Sequence, residues 1–83
     1  MTNEFSVYQW FVNNSYEEVL RFVEAESALI TATRLTQSVG GRMGTTKRVI
    51  ITDGGDFIVW EWLHGEGVVF PPSAAEDDNM KTE

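Results

Sequence analysis

Between Lys47 and Phe70 (KRVIITDGGDFIVWEWLHGEGVVF) two apolar runs flank a turn signal. The centre, Asp53-Gly54-Gly55-Asp56, suits a two-residue hairpin loop, because both central positions of such a loop take φ > 0 and favour glycine. With Gly54 and Gly55 as the loop, the register puts Val49 opposite Trp60, Ile51 opposite Ile58 and Lys47 beside Trp62 on one face. The other face pairs Arg48 with Glu61, Ile50 with Val59 and Thr52 with Phe57. An antiparallel sheet with one wet face alternates apolar and polar positions. Here both faces carry apolar side chains. The pattern predicts that one face meets the protein's own core and the other is left for a partner.

Upstream, Phe5 to Val12 (FSVYQWFV) is β-branched and aromatic, which favours a strand. Asn13-Asn14-Ser15 is a turn signal. Tyr16 to Val23 supports two readings. Tyr16, Val19, Leu20, Val23, Ser27 and Ile30 follow helical spacing, and Ser15 with Glu18 resembles a capping box. As a strand, the same segment would hairpin onto the first one. A helix from Ser15 to Val39 would be about 36 Å long at 1.5 Å per residue, longer than a small sheet can cover. Ala25, Leu29, Ala32, Thr36 and Val39 also form a stripe out of phase with the earlier one. The strand is therefore preferred, with a helix from near Ala25 to near Val39 and Gly40-Gly41 as a left-handed cap. Gly65 and Gly67 mark a reversal, Val68-Val69-Phe70 returns as a short edge strand, and Pro71-Pro72 ends it. The predicted fold class is α+β: an antiparallel β-β-α-β-β sheet with a possible fifth strand and one helix on one face.

The chain has 83 residues and no cysteine. That is one domain with a modest core, which buries about 60–65% of the surface its unfolded chain exposes. The domain is expected over residues 1–72, followed by a disordered acidic tail at 73–83. Disulfides and cysteine-based zinc or thiolate chemistry are excluded. No leader pattern and no run long enough to span a bilayer is present, so a cytoplasmic setting is expected and the glycosylation match at Asn13-Asn14-Ser15 carries no weight. The formal charge is -7, which opposes direct binding to nucleic acid or to an anionic membrane. A basic protein partner is compatible with it.

Candidate chemistry is sparse. Asp53 and Asp56 are too few for a calcium cage and suit a turn instead. Gly40-Gly41-Arg42-Met43-Gly44-Thr45-Thr46-Lys47 has glycines like a phosphate loop, but two threonines precede the lysine and the glycines follow a helix. Arg42, Lys47 and Arg48 form the basic cluster. Arg42 suits a helix C-terminus and Arg48 a cross-strand pair with Glu61. His64, the one histidine, has no partners for a triad or a zinc site. No catalytic, metal or cofactor-binding residue is assigned. Trp10, Trp60, Trp62, Tyr8, Tyr16, Phe57 and Phe70 are many rings for a short chain, and most are expected in the core. Trp60 and Trp62 are placed inward. The expected partner site is then the outer hairpin face, with Ile50, Thr52, Phe57 and Val59 providing burial and Glu61, Asp53, Asp56 and Glu66 steering toward a basic surface.

In size, charge and layout, Phe22 to Phe70 resembles the small acidic proteins encoded by bacteriophages and other mobile elements, such as the anti-CRISPR inhibitors. The stretch contains a strand leading into Glu24-Ala25-Glu26-Ser27-Ala28, one helix, a glycine break, the RVIITDGGDFIVWEW hairpin and GEGVVFPP. The resemblance implies a stoichiometric inhibitor that occludes a site on a host protein or nucleoprotein complex. It assigns no residue a role. The alternative is a homodimeric self-association module that uses the same face with no foreign target there.

Overall fold

The computed structural model describes residues 3–71, and the predicted tail at 73–83 lies outside them. Strand β1 (Phe5–Phe11) hairpins onto β2 (Tyr16–Val23), and helices α1 (Ala25–Gln37) and α2 (Val39–Met43) follow. Strands β3 (Thr46–Thr52), β4 (Ile58–Leu63) and β5 (Gly67–Phe70) complete one sheet in the order β2-β1-β3-β4-β5. All four pairings are antiparallel. The fold is α+β, with the fifth strand present and α1 packed on one face of the sheet.

Local turn chemistry decides that Tyr16–Val23 is a strand. Asn13 Oδ1 accepts from the Ser15 N–H at 3.0 Å and from Ser15 Oγ at 2.6 Å, and Asn14 takes the left-handed conformation with φ 71°. Ser15 is thereby committed to the turn and cannot cap a helix. The Phe11 N–H then donates to Ser15 O at 2.9 Å and closes the hairpin.

Alternation along β1 sorts its side chains. Phe5, Val7 and Gln9 face α1, whereas Ser6, Tyr8 and Trp10 face away. Ala28 and Ala32 of α1 are fully buried with Val7, Val49 and Ile51, and Leu20, Leu35, Trp60 and Trp62 pack around them half-buried. The predicted helical stripe contained Ala32 but otherwise missed this face: Ala25 is exposed, Leu29 is 47% exposed, and Val39 lies in the next helix. Two alanines four residues apart let the helix backbone come close to the sheet, where valine, isoleucine and tryptophan supply the volume. Size complementarity outweighs the greater hydrophobicity of Leu29.

The helix also ends differently from the prediction. Ser38 has extended backbone (φ -71°, ψ 170°), its Oγ donates to Leu35 O at 2.6 Å, and the same oxygen accepts from the Gly41 N–H at 3.1 Å. One hydroxyl therefore closes α1 and opens α2. Gly40 and Gly41 are helical, and the left-handed cap is Gly44 at φ 94°. Gly41 is glycine because it lies against the backbone of α1, where an added Cβ would stand 2.3 Å from Leu35 O.

The β3–β4 hairpin is slipped by two residues from the predicted register. Val49 faces Trp62, Ile51 faces Trp60, Ile50 faces Glu61, and Thr52 faces Ile58. The loop is longer than Gly54-Gly55. Asp53 Oδ1 accepts from the N–H groups of Gly55 (2.9 Å) and Phe57 (3.0 Å), and Asp56 at φ 66° is the left-handed residue. A slip of two keeps each side chain on its face, so Trp60 and Trp62 still face the helix. A bulge between the Ile51 and Thr52 pairs reverses the last step. Val59 turns in to the core and Ile58 turns out, opposite to prediction.

Candidate interaction surface

Opposite α1, no element of the described residues covers the sheet, and cross-strand registers map what this open face presents. One row runs Tyr16, Trp10, Arg48 and Leu63 across β2, β1, β3 and β4. The next row runs Glu18, Tyr8, Ile50, Glu61 and Phe70 across all five strands. A third holds Ser6, Thr52 and Ile58.

The first row is an organised stack. Trp10 lies 5.2 Å from Tyr16, centroid to centroid, with the rings 24° apart, and the Arg48 guanidinium lies 4.9 Å from the Trp10 centroid. Tyr8 joins at 6.1 Å from Trp10 and 6.2 Å from Tyr16. Offset aromatic contacts of this kind contribute about 0.5–1.5 kcal/mol each beyond area, and an exposed cation–π contact about 0.5–1. Arg48 Nε also donates to Glu61 Oε2 at 2.7 Å, although Glu61 stands diagonally across from it. The pair is part-buried, so it orders both side chains and contributes little net stability.

Tyr8 donates its hydroxyl to Glu18 Oε2 at 3.1 Å, and Glu18 also pairs with Arg21 at 3.3 Å. Partial burial holds the Tyr8 phenol above its ordinary pKa; the hydrogen bond to Glu18 and the negative charges of Glu18 and Asp56 add to the shift. The ring stays neutral at physiological pH. The face thus combines a stacked aromatic corner, a central aliphatic, Ile50, that is nearly buried among its neighbours, and three charged groups, Arg48, Glu61 and Glu18.

The predicted partner residues do not form one patch. Ile50, Thr52 and Glu61 are on the open face, but Ile50 and Thr52 are only 4% and 8% exposed, set between larger neighbours. Val59 faces the core. Phe57 is 72% exposed but belongs to the hairpin loop, beside Asp53 and Asp56. The Asp53 carboxylate is engaged in the turn. Glu66 lies in the β4–β5 turn, at the other end of β4.

Sequence reasoning missed Tyr8, Trp10 and Tyr16 as surface residues, whereas Arg48 was placed on the outer face beside Glu61 and is found there. Their signal was present in the alternation of FSVYQWF: once Val7 is placed in the core, Tyr8 and Trp10 must point the other way. His64 lies in the β4–β5 turn, with Nδ1 3.0 Å from Gly41 O, tying that turn to α2. Among the described residues, no group of three or more His, Asp or Glu side chains is close enough to hold a metal ion. Among them, also, no helix is long and apolar enough to cross a membrane.

These features define a class, a two-layer α+β domain with one helix-covered and one open, aromatic sheet face. Comparison with known proteins finds no family model, no curated protein and no solved structure that matches this chain.

Proposed function

We propose that this chain is a non-enzymatic protein-interaction domain whose contact surface is the open face of the sheet. The observation that carries the reading is the organised corner of Tyr8, Trp10, Tyr16 and Arg48, with Phe70 at the far edge. Tyrosine, tryptophan and arginine dominate binding hot spots, and rings already held by stacking lose little freedom when a partner docks. The net charge of -7 favours a partner with a basic surface over nucleic acid, since each phosphate approached would add repulsion. As an inhibitor of a host protein or nucleoprotein complex, the role implied by the resemblance to phage-encoded proteins, the chain would cover a partner's site with this face and set its acidic hairpin tip beside it.

Self-association is the second reading, and a specific observation favours it: Arg48 and Glu61 put opposite charges side by side near the middle of the face.

The test is photo-crosslinking in cells that make the protein. A benzophenone amino acid is placed at position 16 on the open face, and at position 29 on the helix surface as control. Adducts from position 16 that vanish with Trp10→Ala support the reading. Adducts from position 29 alone would refute it.

A further inference from the structure

We propose that the Asp53-Gly54 peptide at the tip of the β3–β4 hairpin is a self-modification site, where the Asp53 side chain closes onto the main chain and reopens as an isoaspartyl link. Its chemistry is independent of the open face. In an aspartate–glycine pair the backbone nitrogen after the aspartate reaches the side-chain carboxyl carbon with least obstruction, because glycine has no Cβ and the widest backbone freedom. Asp53-Gly54 is the one such pair in the chain, and no asparagine precedes a glycine.

The loop surrounds this pair with the groups the reaction needs. The nucleophile is the Gly54 nitrogen, which lies outside the strands at an exposed position and donates its N–H to Glu4 Oε1 at 3.2 Å. The Glu4 carboxylate is in place as the base that takes this proton when the nitrogen attacks. The electrophile is Asp53 Cγ. Its Oδ1 accepts from the Gly55 N–H at 2.9 Å and from the Phe57 N–H at 3.0 Å. Both donors stabilise the negative charge that this oxygen gains in the tetrahedral intermediate. Oδ1 remains on the carbon as the exocyclic carbonyl oxygen of the ring.

The steps balance with water as the co-reactant. Asp53 enters as the neutral acid, and the Gly54 N–Cγ bond forms as Glu4 takes the amide proton. The Cγ–Oδ2 bond then breaks, and Oδ2 leaves as water with its own proton and the one returned by Glu4. Hydrolysis of the cyclic imide at Cγ restores aspartate. Hydrolysis at the Asp53 main-chain carbonyl carbon leaves Gly54 attached through Cγ, and nothing is oxidised or reduced. The isoaspartyl main chain runs through Cβ and Cγ and is longer by one methylene. The Asp53 carbonyl oxygen, which accepts from the Asp56 N–H at 3.1 Å, becomes part of a free carboxylate. The loop that carries the exposed Phe57 is thereby rebuilt.

The test incubates folded wild type, Glu4→Gln and a synthetic peptide of residues 51–58 in heavy-oxygen water, at one temperature and neutral pH. Circular dichroism checks folding, and tandem mass spectrometry locates isoaspartate and incorporated heavy oxygen. Wild type is expected to convert at position 53 at least about threefold faster than the peptide, which lacks Glu4 and the fixed donors. Glu4→Gln keeps an oxygen to accept the Gly54 N–H but removes the base, so its rate should fall to near that of the peptide. A contact that merely held the loop would leave the rate of this variant unchanged. A folded wild type that converts no faster than the peptide overturns the proposal, and that comparison stands even if the variant fails to fold. A Glu4→Gln rate equal to wild type overturns it as well.

Discussion

Gly41→Ala should destabilise this fold severely even though alanine is the better helix former. The added Cβ would stand 2.3 Å from Leu35 O, 2.5 Å from Thr36 O and 2.7 Å from Thr36 C, all backbone atoms. Relief needs a movement of about 0.7 Å or more to reach even the closest contacts that real packing tolerates. It must come from α2 as a unit, and α2 is pinned by the two Ser38 hydroxyl bonds and by His64 Nδ1 against Gly41 O at 3.0 Å. Overpacking of this kind costs about 1–3 kcal/mol, and one lost hydrogen bond adds about 1. The propensity gain from glycine to alanine offsets roughly 0.5–1 kcal/mol. The net expectation is a loss of about 2–3 kcal/mol, a large share of the ~5 kcal/mol a domain this small can hold. At about 4–8 °C per kcal/mol, the melting temperature should fall by roughly 10–20 °C. Urea unfolding followed by tryptophan fluorescence measures the loss, with Gly54→Ala as control, since a Cβ there meets the Glu4 side chain alone, its carboxylate at 2.7 Å and its Cβ at 3.2 Å, and no backbone. That control should stay within about 0.5 kcal/mol of wild type. A Gly41→Ala protein as stable as the control would refute the close approach of α2 to α1.

Three further outcomes are expected. Asp53→Ala removes the acceptor for two backbone N–H groups in the β3–β4 loop and should cost about 1 kcal/mol, read from the urea midpoint, with faster amide exchange confined to that loop. Thr46→Val leaves the buried Gln9 Oε1 without its 2.9 Å donor and should cost about 1–3 kcal/mol; adding Gln9→Leu to it should recover part of the loss. Because the folded chain holds the Tyr8 proton more tightly than the unfolded chain, the Tyr8 contribution is complete below the unfolded phenol value of about 10 and is lost as pH rises through the folded value. Tyr8→Phe should flatten that decline in urea midpoints above about pH 9, and an unchanged slope would remove Tyr8 as its source.

The architecture was legible from hydrophobic patterning because each face of the sheet has a different job. Val49, Ile51, Trp60 and Trp62 alternate strictly enough to survive a two-residue error in register. The register itself was not legible: Gly54-Gly55 offers one turn, whereas the side chain of Asp53 and the left-handed Asp56 make a longer one that satisfies more backbone donors. The bulge that turns Val59 inward leaves no mark in the residue pattern. The helix face was misread because Leu29 outranks Ala28 in hydrophobicity but not in fit. The candidate surface was half legible. Ile50, Thr52 and Glu61 were placed on the correct side, but the rings that define the face come from β1 and β2. Their neighbourhood with β3 is a long-range pairing that no local pattern reports.

The most direct test of the open face as the contact surface uses the three tryptophans as internal reporters. Trp10 lies on that face, while Trp60 and Trp62 pack beneath α1. Indole N–H resonances of isotope-labelled protein are followed as unlabelled extract of the cells that make it is added. The account expects the Trp10 signal to shift or broaden while those of Trp60 and Trp62 stay still. A Trp10 signal that is constant while Trp60 or Trp62 moves would place the contact on the other side of the molecule and contradict it.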